Sequence, residues 1–347
     1  MTASNLFAAV AGFVGRPNDV GAVGVFRRPA GKDDWTHPLS EVEAHTVWLH
    51  PDDPDLVLAG TANGVWRSTD AGAHFARSDF PDERQVWSLL LGGDGRLFAG
   101  TAPLGVYCSE DQGQSWRRLA DPDIPNRCAG PFAPRVMRMA QPPGKPDEIY
   151  AALEIAGAMR TTDGGRSWQD LGAGLVELSA RPHLQSAIVQ KETKAEGMLD
   201  GHAIAISPAD PASAIIALRM GLFRTRDGGA TWQDLEVKRF SPTTYGRDVK
   251  VAPSDPATLY AALSVSAASH DGGLYRSQDN GETWRRFDKV QVHGTIMGIG
   301  LNARNPAEVY IGARYDGEIF GTEDGGATWQ AMPLPGKVKD VYMVACG

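Results

Sequence analysis

Arg276-Ser277-Gln278-Asp279-Asn280-Gly281-Glu282-Thr283-Trp284 is one copy of a unit that returns along the chain. Thr225-Arg226-Asp227-Gly228-Gly229-Ala230-Thr231-Trp232, the stretch from Thr322 to Trp329, Thr161 to Trp168 and Ser109 to Trp116 repeat it. A sixth copy, Ser68-Thr69-Asp70-Ala71-Gly72-Ala73-His74-Phe75, is worn at its end. The common pattern is [Ser/Thr]-x-Asp-x-Gly-x-[Thr/Ser]-Trp, which is the chemistry of a turn. An Asp carboxylate accepts hydrogen bonds from backbone N–H groups a few residues on and closes a tight reversal. The Gly two residues later takes a conformation that a Cβ would penalise, and the Trp buries a large flat surface between packed sheets. Short apolar strands flank the copies, as in Gly273-Leu274-Tyr275-Arg276 before one box and Arg285-Arg286-Phe287 after it. Each box therefore reads as a hairpin turn. An Asp present in every unit serves the unit rather than catalysis.

The box aspartates stand at 70, 111, 163, 227, 279 and 324, and the shortest interval, from 70 to 111, is 41 residues. About forty residues is the period of a four-stranded propeller blade. Proline turns recur between the first two strands of a unit, in His50-Pro51-Asp52-Asp53-Pro54, Ser207–Pro211 and Ala252–Pro256. A seventh unit is split between the ends. Gly24 to Trp35 is an eroded box with its preceding strand, residues 5–12 supply the second strand, and Val338–Ala345 supplies an inner strand that closes the ring. The expectation is an all-β, seven-bladed propeller of four-stranded blades, a single domain over residues 1–347.

These boxes resemble the Asp-box, or BNR, repeats of the sialidase, xyloglucanase and sortilin-type propellers, over essentially the whole chain. The resemblance implies the fold and not one function, since that superfamily includes glycosidases, sorting receptors and a thylakoid assembly factor. No early Arg-Ile-Pro motif of the sialidase kind is present, so no catalytic residue is carried over.

A net charge of −8 argues against nucleic acid or an anionic membrane surface as a partner. The odd set Cys108, Cys128 and Cys346 lacks metal-ligand spacing and suits a reducing compartment. The apolar N-terminal run has no basic flank and reads as a strand, and no segment is long enough to span a bilayer. A cytoplasmic location is expected.

Superimposing the units on their proline turns gives two columns at one end of the channel. The first, where inner strands begin, holds His45, Gln85, Arg135, His202 and Arg247, with Thr295 and nearby His293 in the last unit. The second, where second strands end, holds Phe13, Thr61, Thr101, Glu154, Arg219, Ser264 and Arg314. The long insertions Asp121–Pro134, Gly174–Gly201, Val237–Gly246 and Val265–Gly272 fall on the same face, where binding loops gather. Arg135, Arg219, Arg247 and Arg314, with Gln85, are candidates to hold a small anionic ligand. Glu154, His202 and Asp248 are candidate proton carriers. His45, His202 and His293 are a candidate set for a divalent metal ion. His183, Lys191, Glu192, Lys194 and Glu196 on the longest insertion read as a solvated charged loop, a lid over the mouth being the alternative. The expected function is a hydrolase or lyase acting on a small anionic, sugar-derived substrate; the alternative is a non-catalytic scaffold for proteins.

Overall fold

The computed structural model describes all residues except 1–3, 14, 15, 17, 126–132, 185–198 and 316. Lys191, Glu192, Lys194, Glu196 and Cys128 lie outside the described residues. Seven antiparallel sheets of four strands are arranged as blades. Blade 1 joins the chain ends: its inner strand Asp340–Cys346 pairs with Leu6–Ala11, which is followed outward by Gly24–Arg28 and Thr36–Leu39. The inner strands of blades 2 to 7 are Ala44–Leu49, Gln85–Leu91, Arg135–Ala140, Gly201–Ile206, Tyr245–Ala252 and Ile296–Leu301. Closure by the last strand leaves the ring without a free seam between its ends.

The boxes behave as their chemistry dictates. In blade 5, Thr225 Oγ1 donates to Asp227 Oδ1 at 2.8 Å and accepts from Gly229 N at 2.8 Å. Thr231 gives its N–H to Oδ1 at 2.9 Å and its hydroxyl to Oδ2 at 2.6 Å. The worn copy keeps this lock by other means, since the His74 ring nitrogen Nδ1 takes the hydroxyl's place, 2.7 Å from Asp70 Oδ2. The residue after each Asp and the Gly that follows are both left-handed, as in Asn280 (φ 57°) and Gly281 (φ 86°). The Gly is also a seat on the preceding blade: a Cβ on Gly326 would lie 2.2 Å from the Phe287 ring, and one on Gly165 2.5 Å from Leu119.

The core follows from this arrangement. Apolar faces of neighbouring blades enclose one cluster per interface, such as Ile215, Leu259, Leu263 and Trp284 between blades 5 and 6. Fully burying each such side chain contributes roughly 1.5–3 kcal/mol. A further cluster, which includes Trp87, Met137, Met297 and Tyr342, sits on the channel axis.

Those axial residues share a cause. Every inner strand slips register by one residue near its channel mouth, between Ala44 and Thr46, Val86 and Ser88, Val136 and Arg138, Gly201 and Ala203, Gly246 and Asp248, and Ile296 and Gly298. In blade 1 the slip between Ala9 and Val10 leaves Tyr342 as the extra residue. A bulge re-aims the side chain of its unpaired residue. The seven bulge residues are therefore His45, Trp87, Met137, His202, Arg247, Met297 and Tyr342, all buried.

Candidate functional site

A cavity of about 290 Å³ opens at the mouth above this ring, with His45, Trp87, Arg247, Met297 and Tyr342 in its wall. Arg135 and Glu154 face each other across the first two strands of blade 4 and form an ion pair. The Arg135 guanidinium lies 4.0 Å over Trp87, whose ring also stacks on His45 at 3.9 Å. The indole Nε1 donates to Gln85 Oε1 at 3.1 Å. Across the cavity, Arg314 lies 3.7 Å over Phe13 and pairs with Asp340 at 3.0 Å. Lys339 pairs with Glu43 at 3.2 Å, and Glu43 also accepts the Gly12 N–H at 3.0 Å. Aromatic faces and carboxylates thus fix most of the cations in place.

Arg247 is different. It is buried, lines the cavity, and has no ion-pair partner among the described residues. Burial opposes its charge, and the fields of Glu154 and Asp200, joined by Tyr245 and Tyr342 when these are ionised, outweigh it. The cavity wall carries five cationic side chains (Arg16, Arg135, Arg247, Arg314 and Lys339) against two carboxylates, Glu43 and Glu154. Burial, with Arg135 adding to it, pushes the His45 imidazole down to about 3, so it stands neutral at physiological pH.

Behind the wall lies a buried hydrogen-bonded line. His202 Nδ1 is 2.7 Å from the Gly246 carbonyl oxygen, so Nδ1 carries a proton and donates it. Its Nε2 lies 3.0 Å from the Tyr245 hydroxyl and 3.4 Å from Asp200 Oδ2. Asp200 also pairs with Arg219 at 2.7 Å and accepts the Ile155 N–H at 3.2 Å. Burial alone would raise the Asp200 carboxyl, but His202 and Arg219 hold it well below the usual carboxylate range. Tyr245, which lines the cavity, is pushed up by burial, with Arg247 opposing.

The structure therefore gathers Arg135, Glu154, Arg247, Arg314, Gln85 and His45 on one cavity. His202 stands one residue behind it, reaching it through Tyr245, and Arg219 is engaged with Asp200. Asp248 is not at the mouth. It follows the bulge residue Arg247, so it points the other way and lines a second cavity at the opposite end of the channel. His293 precedes its strand, with a side chain 78% exposed beside Glu318, and does not line the mouth. The three-histidine set does not converge, because only His45 of the three faces the cavity. Among the described residues, the ligand atoms of Glu154, Asp200 and His202 do lie within 4.8 Å of one another. Their two carboxylates already hold Arg135 and Arg219. A divalent cation there would meet those guanidiniums and Arg247, so the cluster does not fit a metal. Tyr245, Asp200, Trp87 and Tyr342 escaped the sequence reading; Asp200-Gly201-His202 was the signal for Asp200.

Six box locks and seven closed blades decide the architecture. The chain is a seven-bladed β-propeller. No protein-family model and no curated protein matches it. Among solved structures this propeller is similar to the GH74 xyloglucanase from Xanthomonas campestris, at 16% identity and a TM-score of 0.65. That match covers 94% of this chain and 56% of the xyloglucanase. It is also similar to YCF48 bound to D1 peptide, at 18% identity and TM-score 0.55, over 85% of this chain and 84% of that one. The Swd1 propeller domain of Myceliophteria thermophila is a third, at 13% identity and TM-score 0.58, over 87% and 89% of the two chains. Such likeness establishes the propeller fold, and the neighbours include both an enzyme and a peptide-bound protein.

Proposed function

We propose that the mouth of this propeller binds a small carboxylate or phosphate and acts on it as a hydrolase or lyase. The observation that carries the reading is Arg247, a buried guanidinium on the cavity wall without an ion-pair partner among the described residues. A desolvated cation gains most from an anion that completes its pairing. Arg135 and Arg314, stacked on Trp87 and Phe13, supply two further forks in fixed orientation. In this reading Glu154 receives a proton from water or from a substrate carbon and Tyr245 gives its O–H proton to the leaving oxygen, and the lining of one cavity by both supports it. Arg247 is the positive charge beside the phenolate so formed, and solvent returns both residues to their starting forms. Cys108 and Cys346 are free buried thiols, which suits a cytoplasmic setting.

Thermal midpoints measured with phosphate, citrate and glucuronate test this. At least one should raise the midpoint by several degrees in the parent and by none in Arg247→Met. If no small anion stabilises the protein, the rival reading, a scaffold that uses the rim loops to hold a protein, takes precedence.

A further inference from the structure

Below the bulge ring lies the second cavity, of about 670 Å³, with residues of all seven inner strands in its wall. Most of that wall is aliphatic, Leu90, Ile206, Val251 and Leu301 among it, and Trp48 adds an aromatic surface. Three charged side chains line it: Arg138, Lys250 and Asp248. None of the three forms an ion pair with a described residue. Their contacts are instead with backbone that the inner strands turn toward the channel and, for the two cations, with the Met343 sulfur. Arg138 Nη1 donates to the carbonyls of Trp87 at 3.1 Å and Met137 at 2.6 Å, both bulge residues. Lys250 Nζ donates to the Ile299 carbonyl at 2.5 Å, and Asp248 Oδ2 accepts the Ile299 N–H at 2.9 Å.

These contacts satisfy backbone groups and leave the charge unbalanced, two cations against one carboxylate. Burial pushes Arg138 down to about 10 and lowers Lys250 as well, with Asp248 opposing it at both. Asp248 is 1% exposed, and its Oδ1 is buried without a hydrogen-bond partner. A cavity with a broad apolar wall and a few convergent polar groups is the usual form of a small-molecule site.

We propose that this lower cavity binds a small carboxylate with an apolar body, its head group taken by Arg138 and Lys250. The body lies along the aliphatic wall, and Asp248 Oδ1 accepts a hydrogen bond from a hydroxyl or ammonium on the carbon beside the carboxylate. The match is one of charge and of polarity: an anion balances the net positive charge, and a hydrocarbon body displaces water from the leucine-rich surface.

Isothermal titration with three probes of one carbon skeleton tests it: 4-methylpentanoate, 2-hydroxy-4-methylpentanoate and leucine. The hydroxy acid should bind saturably to the parent, and Lys250→Met should weaken it by about tenfold or more, the loss of one charge-assisted contact. Lys250→Gln serves if the Met variant does not fold. Tighter binding of leucine than of the hydroxy acid would assign Asp248 to an ammonium and still support the site. Arg247→Met should weaken this binding far less than Lys250→Met does, since Arg247 lines the mouth and reaches Arg138 only through its field. The proposal is overturned if none of the three probes binds saturably, or if binding disappears with Arg247→Met and survives Lys250→Met. Failure of anion binding at the mouth would not touch this result.

Discussion

The Tyr245 hydroxyl lies 3.0 Å from Nε2 of His202, an imidazole whose side chain has no exposed surface. The histidine thus reaches the cavity only through a phenol on the neighbouring blade.

Tyr245→Phe keeps the ring and removes this link. On any substrate found for the mouth, turnover should fall by about a hundredfold or more while binding of the anion changes little. His202→Gln, a positioning change, should cost less in turnover and should move the alkaline limb of the pH–rate profile, which the Tyr245 proton donor sets. Equal losses in binding and turnover for Tyr245→Phe would mean that the phenol only shapes the pocket.

Asp227→Ala removes a carboxylate that holds Thr225, Thr231 and a backbone N–H together. By analogy with helix caps and charge-assisted hydrogen bonds, the loss of stability should be about 2 kcal/mol, read by urea denaturation. The fold should survive, because the other boxes remain.

Stability should fall with acid in two windows. His45 is held down to about 3 by burial and then by Arg135, so it contributes stability above the ordinary histidine range that is lost as pH falls from about 6.5 toward 3. The Asp227 carboxyl is held at about 2 by the Thr231 hydroxyl and N–H. In Asp111, burial pushes upward and the Ser115 hydroxyl and N–H overcome it, again to about 2. The box contribution is therefore complete above about pH 4 and is lost as pH falls through 2. Thermal midpoints across pH 2–8 check this, and His45→Gln should flatten the upper window alone.

Gly326→Ala should cost about 2 kcal/mol or more, because φ is 94° and the new Cβ would lie 2.2 Å from Phe287. Gly325, also left-handed but with nothing within 4 Å of its would-be Cβ, should tolerate Asn with a much smaller loss. Paired denaturation curves separate the clash from the backbone conformation.

The purified protein should carry no stoichiometric divalent metal by elemental analysis, because Arg135 and Arg219 already hold the carboxylates of the Glu154, Asp200 and His202 cluster. Near-stoichiometric metal lost on His202→Ala would reverse that reading.

The blades, the hairpins and the closing strand were legible in the sequence because each is local chemistry repeated: an Asp, a Gly and a Trp at fixed offsets. The mouth was legible only in part. Arg135, Glu154, Arg247 and Arg314 were found because charge at a strand end is conspicuous. Asp248 was misplaced because it was grouped with its neighbour Arg247, although successive residues of a strand face opposite ways. Nothing in the residue types around positions 45, 87 or 247 marks the register slip; it appears only when the strand meets its partner. Tyr245 and Trp87 were passed over because an aromatic at a strand start reads as core, and here it is wall.

The ring of bulge residues has a consequence for the two ends of the channel. His45, Trp87, Met137, His202, Arg247, Met297 and Tyr342 form a septum across the propeller axis. The two cavities share no lining residue among those described, so each port presents a chemistry of its own. Arg247 and Asp248, adjacent in the chain, serve opposite sides of that wall.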